Sequence, residues 1–279
     1  MRNRVLLKKE ILDFQNKIWK FYNSYKRSLS WRKTKNPYKI LVSEIMLQQT
    51  QAERVLPKYT AFIKKFPTIH VLANASNTEV LRMWSGLGYN NRALRLRRTA
   101  KIVVETYGGC IPVSLTDLVA LPGIGTYTAG AIRVFAFNAP EILIETNIRT
   151  VFIEEFFRSS KTKISDKEIL QLIQLVLPKE NFRDWYNALM DYGAVLKKSG
   201  ISHNNKSKNM STTYKIFAGS LRQTRGAIIK ALLQRDMTEQ ELTHDIDVSG
   251  EKITRALSAL VKDKIIVCKK NIYTIQQEI

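Results

Sequence analysis

The sequence predicts an all-α protein that ends in a small winged helix-turn-helix, and three observations carry that prediction. Apolar residues recur at helical spacing almost without interruption to residue 198, as in the stripe Ile11, Phe14, Ile18, Trp19, Phe21 and Tyr22. Up to residue 200, one β-branched patch at 142–144 is the sole stretch that reads as strand. Beyond residue 222, three amphipathic helices are followed by two short strand-like runs around Lys269, Lys270 and Asn271. That last pattern also fits a protein-interaction module.

The first helix falls within 8–28, and a Trp-Arg-Lys-Thr-Lys-Asn-Pro loop occupies 31–37. Helices are then expected at about 38–50, 53–65, 78–84, 90–107, 114–120, 126–136, 147–158, 166–176 and 182–198. Thr68, Ser76, Thr78 and Ser165 are candidate caps, because short side-chain oxygens accept from free N–H groups at a helix start. Residues 199–221 turn polar, basic and rich in Ser and Asn, and read as a loop or linker across a surface. After it, 224–234 form an amphipathic helix, Thr238 with Glu241 makes a capping box for a second, and Ser249 is placed to cap a third.

Composition narrows the partner. The 279 residues hold 45 Lys and Arg against 24 Asp and Glu, a net charge of +21, with 44% hydrophobic residues. Such a balance implies a polyanionic partner. Nucleic acid is favoured over a membrane, since no apolar run reaches the roughly 18–20 residues of a spanning helix. The basic N-terminus lacks a signal-peptide core, so a cytoplasmic or nucleoid location and a monomer are expected. Cys110 and Cys268 have neither metal-ligand nor disulfide-framework spacing.

Four clusters carry chemistry. In ALPGIGTYTAG (120–130), Gly123 and Gly125 allow a tight turn between two helices and a close approach to another molecule. The second helix then opens at Thr126 and Thr128 with free N–H groups and a positive dipole end, suited to a phosphate. An ordinary Gly-rich helix connection is the plain alternative. In PYKILVSEIMLQQTQ (37–51), Glu44 is the one acid of an apolar, amide-rich helix. Burial there would raise its pKa and suit it to donating a proton, unless it lies at the helix edge in solvent. Gln48 and Gln49 carry donors and acceptors fit to fill a gap in a base stack.

In LRMWSGLGYNNRALRLRR (81–98), glycines 86 and 88 turn the chain so that Leu87 and Tyr89 form a wedge, and Arg92, Arg95, Arg97 and Arg98 follow for phosphates. In EILIETNIRTVF (141–152), Glu145 stands at a helix start with Asn147 and Arg149 beyond it. It is either a cap or, with Glu44, the second carboxylate of a glycosidic-bond cleavage.

In this order, WRK, PYKILVSEIMLQQTQ, FPTIHVLA, WSGLGY, LPGIGTYTAGAI and WYNALMDYGA resemble the helix-hairpin-helix DNA glycosylase superfamily, most nearly its MutY-type adenine branch, over about residues 30–198. The resemblance implies a two-lobed glycosylase domain over 1–198, with a six-helix barrel at about 30–137 and a second lobe from 1–29 plus 138–198. A linker (199–221) and a winged helix (222–279) would follow.

It further implies a monofunctional base-excision-repair glycosylase whose partner is double-stranded DNA and which removes adenine opposite guanine or 8-oxoguanine. Glu44 would protonate N7 of the flipped base and later help activate water. Tyr127 stands where endonuclease III has its Schiff-base lysine, and a phenol cannot form an imine. Glu145 stands where the family has Asp, its carboxylate about 1.5 Å farther out. Asn147 would orient Glu145 or the sugar phosphate, Trp31 and Arg32 would line the base pocket, and Gln49, Leu87 and Tyr89 would probe the duplex. Gly123, Gly125, Thr126, Thr128, Arg92 and Arg149 would hold the DNA backbone.

Two family features are missing. Four cysteines that bind a [4Fe–4S] cluster are absent from 194–209, so no cofactor is expected and the basic segment is expected to face DNA instead. A winged helix stands where a Nudix-like domain reads 8-oxoguanine. Alternatives within the fold are a thymine or uracil glycosylase acting opposite guanine, or an endonuclease III-like lyase. A non-catalytic DNA-binding protein is the alternative outside it.

Overall fold

The computed structural model describes residues 7–209 and 219–277 of the chain. It divides into two compact units, Met1–Pro37 with Thr126–Tyr214, and Tyr38–Gly125 with Lys215–Ile279. The division falls at 125/126 rather than at 137/138, so the helix after the glycine turn belongs with the first unit. Its buried face, through Ala129, Gly130 and Ala131, explains this: a Cβ on Gly130 would meet Leu143 at 2.9 Å.

The first unit contains α1 (Lys8–Tyr25), a 3₁₀ turn (Ser30–Lys33) and, after the division, four helices numbered in chain order with those of the other unit. These are α8 (Thr126–Phe137), α9 (Thr146–Phe157), α10 (Asp166–Val176) and α11 (Phe182–Lys198). Phe14 of α1 anchors its core, with ring centroids 5.5 Å from Phe152 and 6.0 Å from Trp185. Helices α9 and α11 come unusually close. A Cβ at Gly193 would lie 2.3 Å from the Asn147 carbonyl oxygen, so only glycine allows the approach. The apolar patch 142–144 is not a strand: Leu143 donates its N–H to the Tyr186 hydroxyl, which itself donates to the Glu141 carbonyl. A side chain satisfies this backbone, so no strand partner is needed.

The other unit opens with α2 (Pro37–Leu47), whose Pro37 sits at the first helical position, where its missing N–H costs nothing. There follow α3 (Ala52–Lys65), α4 (Ile69–Asn74), α5 (Asn77–Trp84), α6 (Asn91–Tyr107) and α7 (Leu115–Ala120). The short α4 is absent from the expected helices, although Thr68 at its start was a candidate cap. Thr68, Ser76 and Ser165 cap as expected, with full capping boxes at Ser76–Glu79 and Ser165–Glu168; Thr78 lies inside α5 instead.

The C-terminal module has the expected winged-helix order. Helices α12 (Leu221–Leu232), α13 (Glu239–Asp245) and α14 (Gly250–Lys262) precede a hairpin of β2 (Ile266–Lys269) and β3 (Ile272–Ile275), with β1 (Met237–Thr238) pairing on the far edge of β3. Ser249 sits at the start of α14 without a side-chain capping bond, while Thr238 and Glu241 form their box. Of the expected linker, 210–218 lie outside the described residues. The described part, 199–209, lies against its own unit: Ile164 and 206–208 form a short parallel bridge, and Thr150 donates to the Ser202 carbonyl. Among the described residues no helix is long and apolar enough to cross a membrane.

Candidate functional site

Helix α2 is enclosed almost all round: Tyr38, Ile40, Leu41, Val42, Ser43, Ile45 and Met46 are all buried. Glu44 shares that burial, at 9% exposure for the residue, and does not lie at a solvent-facing helix edge. Past Leu47 the chain turns through Gln49, which holds a left-handed φ of 54° and is exposed. For a residue with a side chain such a conformation costs on the order of 1 kcal/mol, and it persists only where neighbours enforce it.

The enforcing neighbour is Arg92. Its guanidinium donates to the carbonyls of Ile45, Met46 and Gln48 and, with its other nitrogen, to Thr50 Oγ1 and the carbonyls of Leu87 and Gly88. One planar fork thereby closes the carboxyl end of α2 and ties it to the glycine turn at 86–89. Burial pushes the Arg92 pKa down to about 10, which leaves it charged at neutral pH. The phosphate-binding role expected for Arg92 is therefore replaced by a buried structural one. Arg97 is likewise turned inward, donating to the Ala75 carbonyl and to Asn77, whereas Arg95 and Arg98 are exposed.

The glycine turn separates the two expected wedge residues. Leu87 is 3% exposed and belongs to the core; Tyr89 is 41% exposed with φ 48°. Only Tyr89 is presented. Trp84 and Arg92 lie beneath it, with the guanidinium 5.4 Å from the Trp84 ring and 5.5 Å from the Tyr89 ring.

In the turn between α7 and α8, Gly123 has φ 82°, and a Cβ there would meet the Arg95 stem at 3.2 Å. Gly125 has ordinary φ and open space around it, so only one of the two glycines is needed for a left-handed bend. Thr99 donates to the Pro122 carbonyl at 2.8 Å and Gln48 to the Gly123 carbonyl at 3.3 Å. Gln48 thus holds the turn, a use that the base-stack reading did not foresee. Gly125, Thr126 and Tyr127 are exposed, while Thr128 is 4% exposed and packs inward instead of facing a phosphate.

In the first unit, Glu145 caps α9. One carboxylate oxygen accepts from the N–H groups of Asn147 (2.9 Å) and Ile148 (3.0 Å), the other from Thr146 Oγ1 (3.0 Å) and Asn147 Nδ2 (3.3 Å). Glutamate is not among the favoured capping residues, so its extra methylene is absorbed here by folding the side chain back on the helix. Asn147 thus donates to both oxygens of the Glu145 carboxylate, through its N–H and its Nδ2. Arg149 is committed to Asp166 through a two-pronged ion pair at 2.6 and 2.8 Å, not held out for DNA.

Trp31 is 6% exposed, and Arg32 is paired with Asp191 at 2.7 and 2.9 Å, so neither presents itself as an open pocket wall. Asp191 was missed by the sequence reading, although a lone acid on the buried face of an amphipathic helix was the available signal. Lys197 was missed as well. Burial lowers its pKa, the charge of Glu145 opposes that shift, and the charge of Arg149 adds to it. No sequence pattern marks this lysine.

Burial alone would raise the Asp191 pKa, but hydrogen bonds and charge from Arg32, with the N–H and guanidinium of Arg27, outweigh it and hold the carboxyl below its ordinary value. A lowered carboxyl pKa contributes stability above the unfolded value, near 4, and loses it as pH falls through the folded value. The melting temperature should accordingly drop below pH 4 in the native protein. Asp191→Asn is expected to cost about 3–5 kcal/mol at pH 7, since it leaves a buried arginine unpaired, and to flatten that acid limb. Melting curves from pH 7 to pH 2.5 check both.

Comparison with known proteins adds a family. Residues 42–179 match the model of the HhH-GPD superfamily base excision DNA repair proteins. A relative from Buchnera aphidicola subsp. Baizongia pistaciae, named adenine DNA glycosylase, is 39% identical over 186 residues. That match covers 66% of this chain and 53% of the relative, so the chain spans about half the relative's length. A protein of the same name from Mycolicibacterium smegmatis is 32% identical over 265 residues, 88% of this chain and 90% of the relative. Among solved structures, a thermostable thymine-DNA glycosylase is similar with a TM-score of 0.61 and 26% identity, over 72% of this chain and 96% of that one.

Proposed function

Since the chain belongs to the HhH-GPD superfamily of base excision DNA repair proteins, we propose that it is a monofunctional DNA N-glycosylase that removes adenine mispaired with guanine or 8-oxoguanine. The observation that carries this reading is Glu44, a carboxyl kept in an otherwise apolar helix at 9% exposure. Relatives named adenine DNA glycosylase from two bacteria support the choice of base.

In this reading the duplex is gripped at the exposed start of α8, around Gly125, Thr126 and Tyr127. Gln49 and Tyr89, both held in left-handed conformations, probe the base pair. Glu44 gives a proton to N7 of the extruded adenine, and the C1′–N9 bond breaks with its electron pair going to the base. Water then bonds to C1′ and returns a proton to Glu44, so the proton count closes. Tyr127 offers no amine for a covalent sugar adduct.

The residues present do not fit the iron–sulfur cluster of the wider family. Residues 199–209 contain no thiol, and His203 is committed to Glu154 at 2.5 Å. No step is assigned to such a group.

The deciding experiment is a duplex panel carrying adenine, thymine or uracil opposite guanine or 8-oxoguanine, incubated with the protein and then treated with alkali. Strand breaks at adenine alone are expected, and only after alkali. Breaks at thymine or uracil would move the substrate to a pyrimidine, breaks without alkali would restore lyase chemistry, and none at all would overturn the glycosylase reading.

A further inference from the structure

The winged-helix module has no role in the chemistry above. Around the start of α14, Glu239, Asp245, Asp247 and Glu251 are mixed with Lys252 and Arg255, and Thr254 donates to Glu239, so charge does not mark this helix as a groove reader. The module is instead joined to the helices of its own unit. Arg82 donates to the Leu233 carbonyl at 3.0 Å, the buried Asn77 to the Gln276 carbonyl at 2.6 Å, and Gln277 to Thr78 at 2.7 Å.

These contacts set the first turn of α12 beside the glycine turn at 86–89. Arg222 donates a hydrogen bond to the Tyr89 hydroxyl, and its guanidinium lies 4.9 Å from the centre of the Tyr89 ring. An exposed tyrosine ordinarily samples several rotamers. Here a cation over its face and a donor on its oxygen hold one of them, while Arg92 approaches the same ring from the core at 5.5 Å.

We propose that Arg222 is a positioning residue for base-pair recognition: through it the winged-helix module presets Tyr89 for DNA. The inference rests on Tyr89 probing the duplex, as in the proposed function. Presetting one rotamer-rich side chain before binding removes an ordering cost that is otherwise paid on complex formation. The gain is confined to sites where the ring inserts.

The test is equilibrium binding of the full chain to two duplexes of one sequence, unmodified or with a tetrahydrofuran abasic analogue opposite guanine. Wild type, Arg222→Ala, Tyr89→Ala and the double variant are compared over a range of salt. Arg222→Ala is expected to lower the ratio of lesion to unmodified affinity by about fivefold to tenfold with an unchanged melting temperature. In the Tyr89→Ala background the same change should lower the ratio no further.

Equal losses on both duplexes, with a salt slope shallower by about one, would make Arg222 a plain phosphate contact and overturn the proposal. So would additive losses, or no loss. If Tyr89→Ala leaves the ratio unchanged, Tyr89 is not a probe and the inference falls with it. No excision is read, so this failure is distinct from that of the adenine reading, which the duplex panel decides.

Discussion

Glu44→Gln should lower single-turnover excision of adenine by about a thousandfold while leaving duplex affinity within about threefold. Glutamine keeps the shape of the side chain and its place in an enclosed helix, so the fold has no reason to change. What it loses is the acid. General acid catalysis contributes roughly 10²–10⁴ in rate, and the loss should sit toward the upper part of that range if one carboxyl serves both base departure and water attack. Single-turnover kinetics with enzyme in excess, beside a binding titration on the same duplex, separate the two quantities. Excision within tenfold of wild type would remove Glu44 from the chemistry. Loss of binding together with excision would make it a structural acid.

Arg92→Met should cost about 2–4 kcal/mol of stability and at least tenfold in affinity for a mismatched duplex. Methionine replaces the stem but none of the donors, so the carbonyls at 45, 46, 48, 87 and 88 and the Thr50 hydroxyl lose a shared partner. An unsatisfied buried polar group costs about 1–3 kcal/mol, and water reaching the more exposed acceptors offsets part of the sum. The affinity loss follows because Gln49 and Tyr89 hold left-handed conformations that Arg92 enforces from beneath. Arg92→Lys should recover little, since one ammonium cannot span both turns as a planar fork does. Chemical denaturation and a duplex titration check the two effects. A variant that keeps full affinity while losing stability would show that the turns hold themselves.

Arg92 also marks the limit of the sequence as a guide. A run of arginines beginning a helix, beside an aromatic on a glycine turn, reads as a phosphate-binding face. Two of those arginines, Arg92 and Arg97, turn inward to serve main-chain carbonyls. Composition reports how many cations there are, but not which of them the backbone consumes. Leu87 and Tyr89 show the same limit at closer range. They are two residues apart on one turn, yet left-handed conformations at Gly88 and Tyr89 send one side chain to the core and the other to solvent.

Local signals fared differently. The helices, the capping boxes at Ser76, Ser165 and Thr238, and the winged-helix order are all set within a few residues of chain, where periodicity and side-chain-to-backbone bonds act. Two short stretches were the exception: α4 was not among the expected helices, and the 142–144 patch has its backbone satisfied by Tyr186, a residue more than forty positions away.

By itself, then, the sequence determined the helical class, the order of elements, the acid at position 44 within an apolar helix, and the family to which the chain belongs. Only the tertiary structure decided that Arg92 braces two turns, that Asp191 takes Arg32, that Glu145 folds back as a cap, and that Arg222 reaches Tyr89. The physical reason is range. Propensity and capping are settled between neighbours along the chain. The partner of a long charged side chain is settled by whichever carbonyl or carboxylate folding brings within about 3 Å.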